Sequence, residues 1–193
     1  RQGSHNTAIG LYAMNANTTG SNNTAIGNYT FMNSQTGEYN VAVGRNTGYS
    51  NTTGSRNVFL GYGASYNNNT GSHSISLGLS SAYQCSTGDA NISIGQDTNF
   101  YNTTGSHNVA IGHSAGVGSA SGARSFNINI GGYAGAGNQT DSNINIGYYA
   151  GNTNSSGVRN TVIGYTAFRY NTTNDNTGLG YNAGNANTTG TEN

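Results

Sequence analysis

A short unit recurs along almost the whole chain. A box of the form N-x-x-I-G ends on Gly10, Gly27, Gly44, Gly61, Gly78, Gly95, Gly112, Gly131, Gly147, Gly164 and Gly180. The first six gaps between these glycines are 17 residues each, and the remaining four are 19, 16, 17 and 16. The consensus is N-T-A-I-G-x-x-A-x-x-N-T-T-G-S-x-N. A unit this short cannot bury its own apolar side and must stack on its neighbours, so the periodicity points to a solenoid.

Each column of the alignment carries its own constraint. The residue before the box glycine is aliphatic in all eleven units (Ile9, Ile26, Val43, Leu60, Leu77, Ile94, Ile111, Ile130, Ile146, Ile163, Leu179). Two places earlier every residue is β-branched, from Thr7 and Thr24 through Val41 and Ile75 to Thr177. Residues two apart on a strand share a face. The box therefore reads as a short strand with this pair turned toward the interior. Three places after the glycine only Ala, Ser and Thr occur, which implies close approach of another backbone. A second glycine closes the N-T-T-G segment (Gly20, Gly37, Gly54, Gly71, Gly88, Gly105, Gly122, Gly157, Gly190). Aligned on this glycine, Asp141 and Asn174 take its place in the two 16-residue units. Gly, Asn and Asp all tolerate the left-handed backbone region, so this column is expected to need a positive φ.

Seventeen residues are too few for a helical hairpin, and period-2 boxes punctuated by glycine argue for strand and turn. The expected fold is all-β: a β-solenoid, or parallel β-roll, with one coil per repeat and about eleven coils in a single domain over residues 1–193. Coils about 4.8 Å apart give a stack of roughly 50 Å. Ten boxes open with Asn, Ser74 being the exception. Such columns form ladders in stacked β structures.

Composition narrows function. There are 31 glycines, no proline and no tryptophan, and all six basic residues are arginine. Charged residues make up 6% and the net charge is zero, which removes the electrostatic case for nucleic acid or an anionic membrane. No apolar stretch approaches a membrane span. The single cysteine, Cys85, excludes an intrachain disulfide and falls in what reads as a variable loop column. The chain begins and ends inside a repeat, so it is expected to be a portion of a longer fibrous protein. A thin coil buries few apolar side chains against the entropy of ordering its backbone, which favours association of several chains.

No residues present a catalytic, cofactor or metal constellation, and no enzymatic activity is expected. His5, His73 and His107 share one column but lie two and four coils apart, too far for common ligation. The same column also holds Asn22, Tyr39, Arg56, Ala90 and Arg159, as a solvated outer position would. The aspartates that a calcium-binding repeat needs in every unit are missing. Two aromatic columns are the candidate ligand or inter-chain surfaces: Tyr49, Tyr66, Tyr83 and Phe100, and then Tyr148, Tyr165 and Tyr181. Rings at this spacing can stack. The N-T-T turns also read as glycosylation sequons.

The boxes N-T-A-I-G (6–10, 23–27), N-V-A-V-G (40–44), N-I-S-I-G (91–95) and N-V-A-I-G (108–112) resemble those of YadA-like trimeric autotransporter heads. The longer N-T-A-I-G-x-x-A…N-T-T-G-S-x-N form is also similar to repeats in bacterial and phage-like tail fibres. The resemblance implies a left-handed roll, three chains side by side, and an extracellular, cell-surface or virion tail-fibre location. It also implies a structural or adhesive segment that acts as a rigid spacer and attachment module. Its partners would be further copies of itself and a host-surface glycan or protein. The unit here is longer than the autotransporter one. The alternatives are a self-assembling extracellular filament subunit and an ice-binding solenoid.

Overall fold

The computed structural model describes residues 3–118, 122–185 and 187–191. Each coil contributes one strand of three residues. They are β1 (Thr7–Ile9), β2 (Thr24–Ile26), β3 (Val41–Val43), β4 (Val58–Leu60), β5 (Ile75–Leu77), β6 (Ile92–Ile94), β7 (Val109–Ile111), β8 (Ile128–Ile130), β9 (Ile144–Ile146), β10 (Thr161–Ile163) and β11 (Thr177–Leu179). They form one parallel sheet in sequence order. Equivalent residues pair directly, as in Ala25↔Ala42 and Ile111↔Ile130. The fold is thus the all-β solenoid that the repeat implies, with no helix among the described residues.

The chain closes each coil by visiting the left-handed region at fixed places. The positions two and four after the box glycine, and the one before the box asparagine, all do so. In the second coil these are Tyr29 (φ 59°), Phe31 (φ 48°) and Tyr39 (φ 58°). Such a conformation costs roughly 1–2 kcal/mol for a non-glycine residue. Hydrogen bonds between coils hold it. Tyr29 N–H donates to Leu11 O at 2.8 Å, Phe31 N–H to Thr47 O at 3.0 Å and Tyr39 N–H to Ser21 O at 3.1 Å.

The N-T-T-G glycine is needed for a different reason than the sequence implied. Its φ is not positive. Instead the next coil lies too close for a side chain: a Cβ on Gly37 would sit 2.4 Å from Gly54 O. Asp141 and Asn174 do not occupy this column either. The slot is filled by Thr140 and Thr173, whose carbonyls accept from Asn127 and Asn160 Nδ2 as Gly37 O does from Asn23. The two threonine hydroxyls donate to Gly157 O and Gly190 O. Asp141 and Asn174 belong to the neighbouring serine column, where Asp141 Oδ1 accepts from Ser125 N–H at 2.8 Å. In the 19-residue unit the slot belongs to Arg124, not Gly122: Asn108 Nδ2 donates to Arg124 O at 2.5 Å.

The strand faces are also inverted relative to expectation. From β2 to β11 the middle residue of each box is buried, and the β-branched and aliphatic pair faces out. Ala25, Ala42, Phe59 and Ala110 are fully buried, whereas Val41 and Leu60 are 40% and 47% exposed. The physical reason is the narrow interior. The middle residue meets the residue four places after the box glycine in this confined space. Where a ring occupies it, glycines in a neighbouring coil make the room. A Cβ on Gly48 would lie 2.5 Å from the Phe31 ring and 3.1 Å from that of Phe59, and Gly178 and Gly184 make the same room for Phe168. Apolar clusters fill the first coils (Met14, Phe31, Phe59) and the last (Val162, Phe168). Between them the interior is polar and hydrogen-bonded, through Ser65–Ser76 (2.8 Å), Asn99–Ser93 (2.8 Å) and Asn145–Asn129 (2.9 Å).

The box asparagines form the expected ladder. Asn40 Oδ1 accepts from Asn57 N–H at 2.9 Å, while its Nδ2 donates to Asn23 Oδ1 at 3.1 Å and to Gly54 O at 2.9 Å. Ser74 keeps the ladder unbroken, accepting from Asn91 N–H at 3.2 Å. Asn40→Ala strands the Asn57 N–H in the interior and is expected to destabilise by about 1–3 kcal/mol, read from urea unfolding. An unchanged unfolding midpoint would remove the ladder from the list of stabilising interactions.

Candidate functional site

No enclosed site dominates the described surface, so the candidates are extended faces. The first is the outer side of the sheet. Its two columns hold Thr7, Val41, Ile75 and their equivalents beside Ile9, Val43, Leu77 and theirs, exposed or half-exposed along all eleven strands. The column just past the box glycine continues this surface with Leu11, Tyr62, Leu79, Tyr148, Tyr165 and Tyr181, all exposed. Contiguous apolar surface on this scale marks an interaction site.

The aromatic columns stack as their spacing allows. Tyr49–Tyr66, Tyr66–Tyr83 and Tyr83–Phe100 have ring centroids 4.8, 5.0 and 5.2 Å apart, tilted by only 4–8°. Tyr148–Tyr165 and Tyr165–Tyr181 stack at 5.5 and 5.6 Å. The rings lie along the coil axis, so each interior ring spends both faces on its neighbours. What a ladder offers solvent is a row of edges and hydroxyls. Free ring faces exist only where a ladder ends. Burial, then the neighbouring Tyr49, Tyr83 and Tyr62, raises the Tyr66 phenol above its ordinary pKa. A hydrogen bond with Tyr149 does the same for Tyr148.

Two further aromatic groupings escaped the sequence reading. Tyr12–Tyr29 and Tyr133–Tyr149 stack at 5.5 and 5.0 Å in the column two after the glycine. The Arg169 guanidinium sits 4.6 Å from the Tyr149 ring centroid and 5.2 Å from that of Tyr170. The tyrosines at 12, 29, 133 and 149 share a repeat position and were legible as a column. The arginine contact depends on side-chain direction and was not.

The remaining candidates fall elsewhere. His5, His73 and His107 are exposed, and His107 stacks on Phe126 at 5.2 Å. No group of three His, Cys, Asp or Glu side chains capable of holding a metal ion occurs among the described residues. Cys85 is not in a loop column. It occupies the interior position of Asn51, Asn68 and Asn102, and its Sγ lies 3.8 Å from Gly88 O where those asparagines hydrogen-bond. The N-T-T sequons share that geometry. Asn51, Asn102 and Asn171 are buried with Nδ2 donating to a turn carbonyl, so the folded chain hides their acceptor nitrogens.

No family model, curated protein or solved structure matches this chain. Function is therefore argued from the surfaces themselves.

Burial pushes the Cys85 thiol up to about 11. Its thiolate fraction near pH 8 falls by about a hundredfold from this shift alone. Labelling by an aromatic disulfide reagent is expected to be at least that much slower in the folded chain than in urea. Because the folded pKa lies above the unfolded one, the associated stability is present below about pH 9 and is lost as pH rises toward 11. Rapid stoichiometric labelling under native conditions would place Cys85 outside the interior.

Proposed function

We propose that this chain is a structural and adhesive segment of an extracellular trimeric fibre, a rigid spacer whose outer surfaces serve attachment. The observation that carries this is the aliphatic outer face of the sheet. A monomer in water has no use for eleven strands of outward Val, Ile and Leu, and parallel sheets are ordinarily covered on both faces. The face measures roughly 50 Å by 15 Å from the strand and residue spacings. That is close to the roughly 800 Å² that each partner contributes to a standard interface.

The fitting occupant is a second copy of the same chain. Its aliphatic residues recur at the same 4.8 Å spacing, so they can interdigitate along the whole length, which a partner of another period cannot do. Exposed Tyr148, Tyr165 and Tyr181 adjoin this face and extend the seam. Three copies around one axis is the arrangement that the resemblance to YadA-like heads and tail fibres implies. In such a bundle the polar corners and the Tyr49–Phe100 ladder remain outside as the surface available to a host glycan or protein. No nucleic-acid or membrane partner is part of this proposal.

Sedimentation equilibrium tests it. The chain is expected to sediment as a trimer, and paired Val109→Asp and Ile111→Asp substitutions are expected to give a folded monomer. Ala110→Asp, between them in sequence but fully buried, is expected instead to unfold the local coils, leaving a carboxylate without partners inside. A wild-type chain that remains a stable monomer at micromolar concentration would overturn the trimer, and open-ended growth would favour the filament.

A further inference from the structure

We infer that the end of the first aromatic ladder is a binding subsite for one neutral sugar ring. The inference rests on the attachment role proposed above and gives it a place. A recess of about 280 Å³ is lined by Asp97, Phe100, Tyr101, Ser114 and Val117. Its residues follow the box glycine by two, five or six places, so it lies off the aliphatic face of the sheet and stays open when that face is covered.

The recess has a physical cause. Phe100 stacks on Tyr83 through one face, at 5.2 Å and 4°. In the next coil its column holds Val117, which is too small to cover the other face. Tyr101 stands edge-on to Phe100, with centroids 4.7 Å apart and a 65° tilt, and forms a side wall. Here, unlike along the ladder, part of a ring face is free. The negative face of an aromatic ring attracts the C–H groups that line one side of a pyranose.

Polar groups line the same recess. Asp97 and Ser114 occupy one column in successive coils, each held at positive φ (55° and 53°) by an inter-coil hydrogen bond from its N–H. Asp97 Oδ2 accepts from Gln96 Nε2 at 3.1 Å. Oδ1 of Asp97 and Oγ of Ser114 make no hydrogen bond to another described residue. A carboxylate and a hydroxyl lining the same recess as an aromatic ring suit adjacent sugar hydroxyls, and hydrogen bonds to the ionised group are the stronger kind. The carboxylate also disfavours an acidic sugar. The recess is at the small end of ligand sites, which fits one ring better than an extended chain.

The test titrates the whole chain with galactose, glucose, N-acetylglucosamine and N-acetylneuraminate, followed by saturation-transfer NMR. At least one neutral sugar is expected to bind with a low-millimolar Kd, and N-acetylneuraminate more weakly. Asp97→Asn is expected to weaken binding about tenfold. Val117→Phe extends the ladder over the free face of Phe100 and is expected to abolish binding while keeping the fold, which circular dichroism checks. Tyr49→Ala, at the far end of the ladder, is expected to leave affinity unchanged. Absence of binding by all three neutral sugars, or binding that survives Val117→Phe, overturns the subsite. Neither result touches the trimer, which sedimentation decides separately.

Discussion

Register between coils is the constraint on which everything else depends. Each coil hydrogen-bonds to the next at equivalent residues, through the strands, the box asparagines and the serine column. A parallel in-register stack repeats every side chain at the strand spacing. Any column is then either a continuous favourable row or a continuous penalty. This is why the interior positions are restricted to residues that tolerate their own copies above and below. Asparagine qualifies because its amide both donates and accepts, so a buried column of it satisfies itself along the axis. A carboxylate column could not, and among the described residues acids occur only at outer positions such as Asp89 and Asp141, where they accept from backbone N–H groups.

The narrow interior follows from the same stacking. With one sheet residue per coil pointing in, a facing corner residue fills the remaining volume. Phe31 beside Gly48, and Phe168 beside Gly178 and Gly184, are two ends of one packing rule. The polar middle section obeys it too, with Asn129 and Asn145 packed against Gly135 and Gly151. The core is therefore tuned coil by coil rather than built as a single apolar mass. The outer pair is released from this volume limit, and only there do two branched residues recur in every coil, with Thr7, Thr24, Thr161 and Thr177 in place of Val or Ile in four of them.

The repeat, the strand positions, the asparagine ladder and the two aromatic stacks were all legible from column identity, because stacking turns sequence period into spatial neighbourhood. The orientation of the strand was not. Aliphatic and β-branched residues are ordinarily core, and Ala25 or Ser76 between them looked like the solvent side. A partial signal lay across columns: each phenylalanine at these two interior positions has a small residue or glycine in its own or a neighbouring coil, as Phe59 has Ser65 and Gly48 and Phe168 has Gly178 and Gly184. The roles of Gly37 and Asp141 were misread for a related reason. Glycine excluded by a neighbouring carbonyl and glycine demanded by a positive φ look alike in sequence, and a deletion aligned by glycine shifts its neighbours by one column. The recess beside Phe100 is not visible in the column pattern, because it arises where the column is interrupted, at Val117.

The irregular units show which parts of the coil must not vary. The 19-residue unit and the first 16-residue unit keep equivalent hydrogen bonds from the strand through the sixth residue after the box glycine, and the second 16-residue unit keeps them through the fourth, where Phe168 N–H donates to Ala183 O. Gly118 N–H donates to Ala136 O and Gly137 N–H to Asn152 O, as Asn33 N–H does to Tyr49 O. In sequence, the insertion and both deletions fall between that point and the next box asparagine, outside the strand. Strand pairing crosses the longest unit without slipping, Val109 opposite Ile128. A change of length within the strand or the ladders would break their register. Length instead varies in that one stretch while the aliphatic face runs unbroken through all eleven strands. That distribution keeps the outer face continuous, as the proposed packing of like copies requires.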